Sequence, residues 1–302
     1  MIATLLVLAL LILILALVVA TWQLGVRRLI SPPFARSSAT PADYGLPYED
    51  IRFAASDGLR LHGWFVPAPS PRGTIIFCHG HGGTPAPDLQ YVPTFRAHGY
   101  SVFLFDFRAH GQSEGRFTTL GYFERRDLLG AIAYLEKRGI ARVGLLGFSM
   151  GAAVAMSTAP ESPAVAAVVA DCGFAELWHA AARGALEAGV PHWLAGGIGW
   201  LIVLLASLRL RAPLWLADPI RHVGRISPRA LLIIQGGHDV FVPTEAARRL
   251  FAAAGEPKEL WLVFEARHRA IDRVDPDAYY ARVLGFFDRY LTEREEAARE
   301  PT

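Results

Sequence analysis

Leu145-Leu146-Gly147-Phe148-Ser149-Met150-Gly151 constrains this chain more than any other stretch. An apolar strand pattern, Val143 to Leu146, runs into Gly-x-Ser-x-Gly, and the small helix-forming run Ala152 to Met156 comes at once after it. That order predicts a sharp strand-to-helix turn with the serine at its apex. A serine hydroxyl is a weak nucleophile until it is held beside a base and an anion-stabilising site. Gly147 and Gly151 lack Cβ atoms, so strand and helix can crowd against it. As a bare pattern the motif is common; the strand before it and the helix after it give it weight.

An elbow of this kind is followed in the chain by an acid and then a histidine. The apolar run Ala230–Ile234 leads to Gln235-Gly236-Gly237-His238-Asp239, and Leu260–Phe264 leads to Glu265-Ala266-Arg267-His268. Asp239 and His268 therefore each lie just past the carboxyl end of a strand, as Ser149 does. In an open parallel sheet those ends share one edge, outside which ligands bind. A fourth element is Gly73–Cys78, another buried-strand pattern, which ends in His79-Gly80-His81-Gly82-Gly83. Acyl transfer builds charge on a carbonyl oxygen, which preorganised backbone N–H groups stabilise. Met150 should give one such donor and the Gly-rich loop the other, from His81 or its neighbour Gly82. His79-x-His81 has no third ligand at a typical spacing, so no metal is expected.

With these residues the chain resembles the α/β-hydrolase superfamily, in its membrane-anchored serine-aminopeptidase-like, lysophospholipase-like branch. The likeness runs from about Tyr48 to Leu291. It includes Asp106-Phe107-Arg108-Ala109-His110-Gly111-Gln112-Ser113, similar to the family's Asp-x-Arg-Gly-x-Gly-x-Ser segment, and Glu124-Arg125-Arg126-Asp127 before the elbow strand. His81 departs from the small or amide residues commoner there, and bulky Arg269 comes directly after His268. The resemblance implies an α/β-hydrolase fold: a mostly parallel central sheet flanked by helices, with an apolar helical lid and an N-terminal transmembrane helix. Ser149 would attack the acyl carbon, His268 would shuttle the proton and Asp239 would orient the imidazole. Asp106 reads as a residue bonding to the loop around it, and Glu124 and Asp127 as helix-start or loop-fastening residues. The implied strand order puts the elbow strand between those ending in Cys78 and Cys172. That separates the two thiols by about 10 Å, beyond disulfide reach.

Strand-like apolar runs alternate with helical ones, as a parallel sheet covered on both faces requires. Asp50–Ala54 and Arg60–Phe65 alternate around Ser56-Asp57-Gly58 and predict an edge hairpin. The last helix, 277–291, carries Tyr280, Val283, Leu284, Phe287 and Leu291 on one face. A net charge of +2 without a basic stripe gives no reason to expect nucleic acid. No cofactor is expected. The expected partners are a small-molecule or lipid ester and a membrane.

Ile2 to Leu24 carries no charge and as a helix would span about 34 Å, enough for a hydrocarbon core. No basic residue precedes it, and Val18-Val19-Ala20 is a poor cleavage site, so an anchor is favoured over a secretory signal. Arg27, Arg28 and Arg36 come after it, which orients the domain toward the cytoplasm. The organisation expected is an anchor at 1–26, a Pro/Ser/Ala-rich linker at 27–47, a hydrolase domain at 48–292 with a lid insertion at about 173–226, and a charged tail at 293–302.

The insertion holds Trp178, Trp193, Trp200 and Trp215, and 193–208 is strongly apolar. A second span there would put Ser149 and Asp239 on opposite sides of the bilayer, so a lid lining an acyl pocket is expected. Its Arg209, Arg211, Arg221 and Arg225 would meet either headgroups or water. The function expected is hydrolysis of a carboxylic ester with an apolar acyl chain. An acyltransferase would use the same triad. An aminopeptidase would need a carboxylate for the substrate amine, such as Glu176 or Glu187. A catalytically silent membrane scaffold is the reading from another class.

Overall fold

Apolar runs that can bury both faces pair side by side. The computed structural model describes residues 2–35 and 37–292, apart from the side chains of Ala3, Leu10, Ile14 and Leu24. The tail at 293–302 and Arg36 lie outside the described residues. The strands are β1 (Glu49–Ala54), β2 (Arg60–Val66), β3 (Gly73–Cys78), β4 (Tyr100–Phe105), β5 (Val143–Phe148), β6 (Val165–Asp171), β7 (Ala230–Gly236) and β8 (Lys258–Val263). They form one sheet in the order β1-β2-β4-β3-β5-β6-β7-β8. The edge hairpin is antiparallel, with Phe53 opposite Leu61, and β2 is antiparallel to β4. From β4 to β8 every pairing is parallel.

The helices are α1 (Ile2–Thr21), α2 (Arg27–Ile30), α3 (Val92–Ala97), α4 (Glu124–Lys137), α5 (Met150–Thr158), α6 (Leu177–Glu187), α7 (His192–Leu210), α8 (Thr244–Ala253), α9 (Ile271–Val274) and α10 (Pro276–Phe287). One face of the sheet is covered through Leu128, Ile132, Leu135, Val154 and Leu250, from α4, α5 and α8. The other is covered through Val92, Phe95, Val283, Phe286 and Phe287, from α3 and α10. Burying both faces removes apolar side chains from water at roughly 25 cal/mol per Å², which drives this layering. On α10 it is Tyr279 that is buried, with Tyr280 half-exposed beside it. The central strands are continuously buried, whereas β8, at the sheet edge, is only half-buried over most of its length.

α6 and α7 are inserted between β6 and β7, and they pack closely. A Cβ on Gly199 would come 2.5 Å from the carbonyl oxygen of Trp178, so only glycine allows this crossing. The buried face of α7 is Ala195, Gly199, Ile202, Val203 and Ala206, and Trp193, Trp200, Leu204 and Leu208 are exposed on it. Since β6 and β7 are hydrogen-bonded neighbours, a bilayer crossing at α7 would tear the sheet apart.

The N-terminal helix does not stop at position 26. A π-helical turn, Trp22–Val26, joins α1 to α2, and the helix runs on to Ile30. Val26, Leu29 and Ile30 are buried in the domain's core, and residues of the Pro/Ser/Ala-rich segment dock as well, with Pro41 and Leu46 buried. The segment read as a linker thus docks on the domain at Leu29, Ile30, Pro41 and Leu46, while most of its other described residues are exposed. Its apolar residues are spaced irregularly, so no periodicity signalled the packing.

Candidate active site

Ser149 stands at φ 53°, ψ −112°, between β5 and the first residue of α5. This left-handed backbone is costly for a residue with a side chain and persists where the surroundings impose it. The surroundings are the two glycines. A Cβ on Gly151 would fall on the carbonyl oxygen of Cys78 at the end of β3, and one on Gly147 would fall on the backbone of Gly151 and Ala152.

Three side chains meet beyond the strand ends. His268 Nε2 lies 3.0 Å from Ser149 Oγ, and His268 Nδ1 lies 2.6 Å from Asp239 Oδ2. The Asp239 side chain is fully buried and accepts from everything around it. Its Oδ1 takes the N–H groups of Phe241 and Val242, each at 2.9 Å, and its Oδ2 also takes Gln235 Nε2 at 2.9 Å. Burial pushes this carboxyl up, but the hydrogen bonds from His268, Val242 and Gln235 outweigh it and hold the group below its ordinary range. It is therefore an acceptor for the imidazole N–H at neutral pH. Gln235, also buried, did not stand out in the sequence because an amide at the end of an apolar strand carries no motif.

The loop after β3 is built around neutral histidines. His79 is fully buried, which drives its imidazole down to about 3. Its Nδ1 donates to Gly80 O at 2.8 Å and its Nε2 accepts from Phe107 N at 3.0 Å. His110 donates through Nδ1 to Arg108 O and accepts through Nε2 from Gly82 N at 3.1 Å. The Gly82 N–H is thereby committed, which leaves His81 as the better of the two candidate donors on this loop. His81, too, is held down by burial, at about 4, and its Nε2 donates to the carbonyl oxygen of Leu29 at 2.8 Å. Both ring nitrogens of His79 are thus engaged, and so is Nε2 of His81.

Arg269 explains the bulky residue after His268. Its guanidinium pairs with buried Asp88 and lies 4.5 Å over the Phe148 ring, while its N–H donates to Cys172 Sγ at 3.4 Å. The pair ties the His268 loop to the segment following the Gly-rich loop. Burial drives the Cys172 thiol well up, helped by Asp171 and Asp239, so it stays neutral beside the site. Both cysteines are buried and free. Asp106 accepts from His62 Nδ1 and Gln112 N, Glu124 from Thr118 and Thr119, and Asp127 from Arg108. All three fasten loops. Glu176 is held by Arg249 and His179.

Ser149 and His268 open onto a cavity of about 560 Å³. Its walls include Phe174, Ala181, Ala185 and Ile202 from the insertion, and Leu17, Ala20, Thr21, Gly25 and Leu29 from the N-terminal helix. Among the described residues its lining includes Arg28 and Arg269 but no carboxylate.

A family model described as serine aminopeptidase, S33, matches residues 69–203, a range that holds the elbow and ends before Asp239 and His268. An uncharacterized protein of Mycobacterium tuberculosis is 31% identical over 280 residues, covering 88% of this chain and 87% of its own length. The chain belongs to the α/β-hydrolase superfamily. The hydrolase is also 28% identical over 265 residues to the alpha/beta hydrolase domain-containing protein WAV2 of Arabidopsis thaliana, covering 84% of this chain and 83% of that one. Among solved structures, an esterase of Pyrococcus furiosus superposes with a TM-score of 0.72 at 28% identity, over 86% of the hydrolase and 99% of the esterase.

Proposed function

We propose that this hydrolase is a membrane-anchored serine esterase acting on a carboxylic ester with an apolar acyl chain. The observation that carries the reading is the hydrogen-bonded line Ser149–His268–Asp239 at the strained elbow. Ser149 Oγ attacks the acyl carbon as its proton passes to His268 Nε2. The N–H groups of Met150, at the start of α5, and His81 take the oxyanion that forms. When the C–O bond breaks, His268 returns the proton to the departing alcohol and Ser149 keeps the acyl group. Water then attacks the acyl-enzyme, giving its proton to the same nitrogen, and the acid leaves with Ser149 restored. Asp239 remains ionised throughout and stabilises the imidazolium.

The lining supports an ester rather than a peptide with a free α-amine. No carboxylate among the described lining residues faces an ammonium, and Glu176 is occupied by Arg249. Small and aliphatic side chains supply most of the wall, as an acyl chain requires.

Thr4–Thr21 is long and apolar enough to cross a membrane. The contacts of this helix support an uncleaved anchor: cleavage after Ala20 would take away Leu17 and Ala20, which line the cavity. Arg27 and Arg28 at its end favour a cytoplasmic catalytic domain. A panel of p-nitrophenyl esters from acetate to palmitate, run on the full-length protein in detergent, tests the chemistry. Hydrolysis that favours longer chains supports the reading, and a folded protein that cleaves none of them opposes it.

A further inference from the structure

Leu17, Ala20, Thr21, Gly25, Arg28 and Leu29 all line the cavity that holds Ser149 and His268. Their spacing is three, four, eight, eleven and twelve residues from Leu17, which is one stripe of a helix. At 1.5 Å per residue that stripe is about 18 Å long. The helix is seated both along it and at its end. Near the middle, a Cβ on Gly25 would come 2.5 Å from Ile202 Cδ1, so the glycine lets the helix lie against the lid. At the end, His81 Nε2 donates to Leu29 O, and a few residues on Ala35 N donates to Gly82 O at 2.7 Å. Phe34 packs edge-on against His110, the residue that accepts from Gly82 N.

We infer that the N-terminal helix is a working part of the substrate site: Leu17, Ala20 and Thr21 select the acyl chain, and the helix end braces the loop that bears the His81 N–H. A tether would need neither the stripe nor the hydrogen bonds. The departure at His81 is explained directly, because a small residue there could not reach the helix's terminal carbonyl groups. The chain of the ester lies between this stripe and the small residues of α6, Ala181 and Ala185, with its carbonyl at Ser149. The other end of the stripe continues into exposed Leu13, four residues before Leu17, so an acyl chain held there reaches the site along the helix from the bilayer side.

The inference rests on the esterase reading, and one experiment separates the two. Wild type, Ala20→Phe and Leu17→Ala are prepared full-length in detergent, checked by thermal melting, labelled with a fluorophosphonate and assayed from acetate to palmitate esters. Ala20→Phe is expected to lower kcat/KM on the longest esters tens-fold more than on acetate, since one or two methylenes in an apolar pocket are worth about 10–200-fold. Leu17→Ala, which removes bulk, is expected to shift the preference toward longer chains. Labelled variants whose chain-length profiles match wild type overturn the selecting role while leaving the esterase standing. A folded wild type that takes no label overturns the esterase and the inference together. For the brace, His81→Ala keeps its backbone N–H, so kcat should drop about tenfold at every chain length with KM little changed. His81→Gln, which can still donate, should recover part of it. Equal kcat in wild type and His81→Ala overturns the brace.

Discussion

His81 Nε2 and the carbonyl oxygen of Leu29 stand 2.8 Å apart, joining the Gly-rich loop to the end of the N-terminal helix. The bond requires a proton on Nε2, which the neutral ring can carry, and burial holds the imidazole down at about 4, below its ordinary 6.5. A histidine whose folded value is lowered favours the neutral fold. Its contribution is full above pH 6.5 and is lost as pH falls toward 4, because the unfolded chain takes the proton first. Stability should therefore fall on acidification through this window, with the residue adding a slope of up to about 1.4 kcal/mol per pH unit. In His81→Gln the slope measured by denaturant titration should be shallower by about that amount. Parallel slopes would contradict it.

Asp239 gives a second expectation. Asp239→Asn keeps the size of the side chain, but its amide can no longer accept from His268 Nδ1–H in the same way and favours the wrong tautomer. The expected loss in kcat is about 10⁴-fold, with little change in melting temperature. The two effects are read separately by steady-state kinetics and calorimetry.

Gly151 tests the elbow. Gly151→Ala forces a methyl group onto the Cys78 carbonyl, which is backbone at the end of a central strand and cannot turn aside. Overpacking here should cost about 3 kcal/mol, the upper end for an added methyl, and urea titration should find it. Gly184→Ala, in α6, meets nothing within 4 Å and should cost almost nothing.

The sheet and the meeting of Ser149, Asp239 and His268 were legible because each depends on local pattern. Continuous apolar runs mark buried parallel strands, and a residue just past each run is carried to the same edge. The hairpin was legible from alternation around Ser56-Asp57-Gly58, and the loop-fastening roles of Asp106 and Asp127 from their place in the segments around Arg108 and the helix before the elbow. The docking of Val26, Leu29, Ile30, Pro41 and Leu46 was hidden. Hydropathy marks the N-terminal helix as apolar on every side, so the stripe facing the cavity carries no contrast with the rest. The contacts beyond it are made by backbone groups, by one histidine and by Phe34, Pro41 and Leu46, whose spacing has no period. His81 was the visible trace, a departure from the small residues common there whose partner lies 52 residues earlier.

The most direct test is to treat the full-length protein with a fluorophosphonate and map the adduct by peptide mass spectrometry, beside His268→Ala. A single adduct on Ser149 that forms in wild type and is nearly abolished in His268→Ala is the predicted result. An intact, folded protein with no adduct at Ser149, or one labelled equally with and without His268, would contradict the account.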